Sequence, residues 1–110
     1  MGRANLATEE ADPLTYPRTE HLIKPFQQAL AAYVAAPGVL AGLALDEVAG
    51  QLKQAAASEL QDDPLVELLH RTLQAVRAGD AGQVATLGAS VARRLEALGL
   101  PPQGQGPGAG

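Results

Sequence analysis

The stretch that most constrains this chain runs from Asp62 to Leu100, DDPLVELLHRTLQAVRAGDAGQVATLGASVARRLEALGL. Its punctuation predicts two helices joined by a tight turn. Asp63 is placed to cap the first, with Pro64 at the first helical position, where a missing N–H is harmless. Gly79 supplies the left-handed residue that closes that helix, and Asp80 caps the next, with Gln83 at capping-box spacing. Gly99 and Pro101 stop the second helix.

Apolar periodicity extends the same reading towards the N-terminus. Leu22, Ile23, Phe26, Ala29, Leu30, Tyr33 and Val34 share one helical face, and Pro37-Gly38 ends it. Pro25 leaves two starts open: a helix beginning at Pro25, or one capped by Thr19 that kinks. Leu45, Val48, Leu52, Ala56 and Leu60 make a second stripe, with Asp46 as the expected cap. The expectation is an all-α bundle of four helices near 24–36, 46–60, 64–78 and 81–98. In it, Leu65, Leu68, Leu69, Thr72, Leu73 and Val76 face inward from the third helix, and Val84, Leu87, Val91, Leu95 and Leu98 from the fourth. Residues 1–18 read as a flexible arm and the ending PPQGQGPGAG, residues 101–110, as a disordered tail that contributes nothing to folding. Leu14 and Tyr16 are the arm's candidates for packing back on the body.

Composition supports this architecture. At 110 residues the chain makes one domain, and its apolar 46% is drawn from Ala, Leu and Val with three aromatics. Few β-branched residues and abundant Ala disfavour strands. A domain of this size buries roughly two-thirds of its unfolded surface, so no metal or disulfide is needed to hold it.

The same figures exclude several kinds of chemistry. The chain has no cysteine, which removes disulfides, thiolate catalysis and Cys-type zinc sites and fits a reducing compartment, with the cytoplasm as the expected location. Net charge is −4: residues 1–63 carry four basic and nine acidic side chains, residues 64–110 four and three. Phosphate-driven nucleic-acid binding is therefore not expected. Between Pro25 and Leu45 no residue is charged, a length sufficient for a membrane span. Gln27, Gln28 and Pro37-Gly38 interrupt it, and no membrane partner is expected.

Two constellations invite a sharper reading. Glu67-x-x-His70 has the spacing of a di-iron carboxylate ligand pair, yet the second such pair is missing and Arg71 offers Glu67 a partner one turn on. Gly42–Ala49 resembles the first helix of a helix-turn-helix, but no turn and no basic recognition helix follow. A metal-binding bundle and a DNA-binding protein are thus the alternatives to the main expectation. Ser58 and Ser90 lack a nucleophile context, His21 and His70 are the only imidazoles, and no acid, base and nucleophile can be named together. The expectation is a non-enzyme, with neither cofactor nor metal. It works by holding a protein partner or itself through a helical face. The fourth helix is the expected face: Ala85, Gly88, Ala89 and Ala92 form a small-residue strip ending at Arg93 and Arg94, which suits a homodimer whose partner presents the acidic first half of the chain.

Overall fold

A computed structural model describes residues 16–100; residues 1–15 of the expected arm and the tail (101–110) lie outside the described residues, while Pro17 and Arg18, expected in the arm, belong to the first helix. Helices α1 (Pro17–Ala35), α2 (Val39–Ala55), α3 (Asp63–Ala78) and α4 (Ala81–Ala97) follow one another, with a π-helical turn, Ala56–Leu60, extending α2. No strand occurs among the described residues. Each helix packs on its neighbour in sequence, and α1 closes on α4, so the four form a ring around one core. Connections of two or three residues leave no other arrangement, because so short a loop returns the chain beside the helix it has just left.

The stripes meet in that core. Ile23, Phe26, Leu45, Leu52, Leu65, Leu69, Val84, Val91 and Leu95 are all buried to within 2% exposure. Each such side chain stabilises the fold by about 1.5–3 kcal/mol relative to leaving it in water. Leu68, Leu87 and Leu98, at the borders of their stripes, are half-buried against the cluster, as is Tyr16.

Three helix starts differ from expectation, and at two of them, those of α1 and α3, a group distant in sequence takes part. Helix α1 begins at Pro17 and runs through Pro25. The ring of Pro25 removes one bond to the carbonyl of His21, and both residues are exposed, so water replaces it. Thr19 does not cap; it is fully buried, and no side chain of α1's own start caps the helix. Instead Glu59, from the π-turn, takes the orphan donors: the N–H of Arg18 at 3.1 Å, the N–H of Thr19 at 2.8 Å and the Thr19 hydroxyl at 2.8 Å. Helix α2 begins at Val39, seven residues earlier than its cap candidate, with extended Gly38 before it. Asp46 therefore lies inside the helix, where its Oδ1 accepts from Arg77 Nε at 2.8 Å.

The third start concerns neighbouring acids. Asp62, rather than Asp63, caps α3: its Oδ2 accepts from the N–H of Leu65 at 3.0 Å. Oδ2 also accepts from Arg94 Nε at 2.8 Å, and Oδ1 accepts from Arg94 Nη2 at 2.6 Å, a bidentate pair to the last turn of α4. Asp63 is exposed. The remaining punctuation is as expected. Asp80 accepts from the N–H of Gln83 at 3.1 Å, and Gly79 (φ 72) and Gly99 (φ 84) are left-handed.

The two carboxylates that serve helix starts, Glu59 and Asp62, are held below the usual carboxylate range. For Glu59, partial burial pushes the carboxyl up, but the donors from Thr19 and Arg18 together outweigh it. For Asp62, the Arg94 guanidinium is the main cause, opposed by burial and reinforced by the Leu65 amide. A carboxyl whose folded pKa is depressed contributes stability that is complete above its unfolded value, near 4, and is lost as pH falls through the folded value. The melting temperature is therefore expected to fall progressively below about pH 4, and Glu59→Gln with Asp62→Asn should flatten that acid limb. In denaturant unfolding at pH 7, Asp62→Ala should cost at least the 0.5–2 kcal/mol typical of a lost cap. Asp63→Ala should stay within about 0.5 kcal/mol.

Candidate functional site

The strip on α4 is divided between the bundle and the surface. Gly88 is buried, and a Cβ built on it would run into the Leu30 side chain of α1, which would have to shift to make room. The glycine lets α1 and α4 approach within their own chain. Ala85 and Ala92 are half-buried and Ala89 is exposed. Arg94 is engaged by Asp62 of the same chain, which holds its guanidinium above its ordinary pKa, while exposed Arg93 donates to Ser90 Oγ at 3.3 Å. Of the six residues, Gly88 and Arg94 are committed to the fold.

Glu67 and His70 are likewise in other hands. Arg71 Nε donates to Glu67 Oε2 at 2.9 Å across an exposed face, and that bond holds the Glu67 carboxyl below its usual range. His70 Nδ1 lies 3.2 Å from Lys53 Nζ on α2. An ammonium has no lone pair, so the imidazole accepts. Among the described residues no three His, Asp or Glu gather closely enough to hold a metal ion. Gly42–Ala49 lies within α2, which continues without a turn to Ala55.

The surface that stands out is the corner where α1 turns into α2. Val39 is 77% exposed, Leu40 82% and Leu43 62%, and Val34 at the end of α1 adds 41%. The cause is a mismatch of phase. At about 100° per residue, Leu45, Val48, Ala49 and Leu52 define the inward face of α2, and Leu40 and Leu43 fall opposite it. Beside them a groove of about 620 Å³ opens between α2 and the end of α3. Its floor is the buried pair Tyr33 and Val76, its walls include Val39, Leu43 and Ala78, and the Asp46–Arg77 pair stands at its edge. Gly42 shapes that floor. It has no side chain, and the Tyr33 ring lies over it, 3.5 Å from where a Cβ would be.

Sequence reasoning missed these residues because it left 37–45 outside any helix. The signal was present in the uncharged run from Pro25 to Leu45, whose leucines at 40 and 43 are out of phase with the stripe that follows. Among the described residues no helix is long and apolar enough to cross a membrane. Comparison of the chain with protein-family models, curated proteins and solved structures finds no match.

The α1–α4 contact makes a prediction of its own. Gly88→Val should overpack the contact and cost about 1–3 kcal/mol. Combined with Leu30→Ala, it should cost less than the sum of the two single changes by at least about 0.5 kcal/mol in a double-mutant cycle. Strict additivity would mean the side chains do not compete for that space.

Proposed function

We propose that this chain is a non-enzymatic helical interaction module that engages a protein partner through the α1–α2 corner. The observation that carries the reading is the exposure of Val39, Leu40 and Leu43 on one short segment beside an apolar groove. Single exposed aliphatic residues are ordinary on any surface. A contiguous set next to a concavity is not, because covering each side chain is favourable by about 1.5–3 kcal/mol and water opposes leaving it open. The groove is open rather than closed, which suits the apolar side chains of a partner more than a small ligand sealed from solvent.

Charge supports the same reading. A net −4 makes phosphate-rich partners unfavourable, and the two charges lining the groove, Asp46 and Arg77, offset each other rather than favour an ionic ligand. A cysteine-free chain suits a reducing interior, and the cytoplasm is the compartment we propose.

The test places a photo-crosslinking amino acid at Leu40 or Leu43, and at Gln54, Ala89 and Arg93 as controls, in cells of the source organism. Discrete adducts are expected from 40 and 43 and none from 54. Adducts from 89 and 93 alone would return the interface to α4. No adduct from any position would remove the interaction reading.

A further inference from the structure

We infer that the occupant of the α1–α2 corner is the same corner of a second copy of this chain, paired about a two-fold axis. The inference rests on the interaction reading above and names its partner. Three properties of the surface make it complementary to itself. A two-fold interface lays a patch on its own duplicate, so any net charge inside it would meet the same sign. From Pro25 to Leu45 there is no charge to meet.

The second property is shape. Leu40 and Leu43 project from the outer face of α2 at 82% and 62% exposure, and the groove of about 620 Å³ opens next to them. Knob and hole therefore belong to one surface. A half-turn places each copy's leucines over the other's groove, where the Tyr33 ring and Val76 wait as an apolar floor.

Third, the rim carries one charge of each sign. Asp46 and Arg77 stand 2.8 Å apart at the groove's edge, and the Arg77 side chain is 66% exposed. A two-fold axis beside this pair brings Arg77 of each copy towards Asp46 of the other, an alternating arrangement of four charges. The patch is on the order of a few hundred Å² per copy. That falls below the roughly 800 Å² per partner of a standard stable interface, so the dimer is weak and concentration-dependent.

The C-terminal tail fits the corner less well. It leaves the bundle at Leu100, at the end opposite the corner, roughly 28 Å away along a helix of α1's length. Residues 101–110 hold no apolar side chain beyond alanine and proline.

Sedimentation velocity on the full chain, from about 10 µM to about 1 mM, tests the inference. The weight-average mass should rise from 11.3 kDa towards twice that value. Leu40→Glu with Leu43→Glu should stay at the monomer mass throughout with an unchanged helical spectrum, and Gln54→Glu should behave as wild type. Asp46→Lys makes the rim wholly positive and Arg77→Glu wholly negative. Each variant alone should associate at least about tenfold more weakly, and their equal mixture should recover wild-type association. A wild type that is monomeric at every concentration would overturn the inference, as would a double leucine variant that still dimerises or a charge mixture that recovers nothing. Cellular adducts from positions 40 and 43 to a different protein, with a monomeric purified chain, would leave the interaction reading standing and remove only the self-pairing. Absence of both would remove the two together.

Discussion

A half-buried carboxylate, Asp62, fixes how two helices of this architecture start and end. Its oxygens accept from the first turn of α3 and from the guanidinium of Arg94 in the last turn of α4, so one side chain both starts a helix and ties down the end of another. The side chain keeps only 12% of its exposure, and Arg94 keeps 35%. In that setting a bidentate pair is screened less than on an open face, and both oxygens of the acid accept from donors, Oδ2 from two and Oδ1 from one. Three residues earlier, Glu59 performs the corresponding task for α1. The π-turn between α2 and α3 widens the helix just where Glu59 must reach across to Arg18 and Thr19. Gln61 then takes the left-handed conformation (φ 52), which costs a non-glycine residue roughly 1–2 kcal/mol and is offset by the helices it allows to start and close.

These clasps make the two ends of the bundle unlike. At one end, four helix termini are joined by the carboxylates of Glu59 and Asp62 acting on backbone amides, a hydroxyl and a guanidinium. At the other, the α1–α2 corner is uncharged and aliphatic, with only the exposed Asp46–Arg77 pair at its margin. The apolar end leaves side chains in water that any apolar cover would shelter, and the proposed interaction belongs there for that reason.

Packing explains why the small-residue strip of α4 does not carry the same weight. A strip of Ala and Gly lowers the distance at which a second backbone can sit, but it does not say whose backbone that is. In this chain α1 has taken the place: Leu30 lies over Gly88, and the space a partner helix would need at that point is filled. Arg94, which could have met a neighbouring acidic chain, is held by an acid 32 residues away in its own.

Much of the fold was legible because it depends on local chemistry. Helix periodicity, the stop at Pro37-Gly38, the left-handed Gly79 and Gly99, and the Asp80 cap each follow from residues within a turn of one another. The inward faces of α3 and α4 followed from spacing alone. Tertiary structure decided what lay between distant residues. It chose Asp62 over the adjacent Asp63, because only Asp62 can serve Leu65 and Arg94 together. It started α1 eight residues before Pro25, because a carboxylate 40 positions downstream supplies the cap. It drew α2 back to Val39, turning an apparent linker into a helix whose outer face is apolar. Local sequence marks where a helix can begin and which side of it is apolar; which partner satisfies its free amides, and which apolar side is left uncovered, is settled only when the helices are in contact.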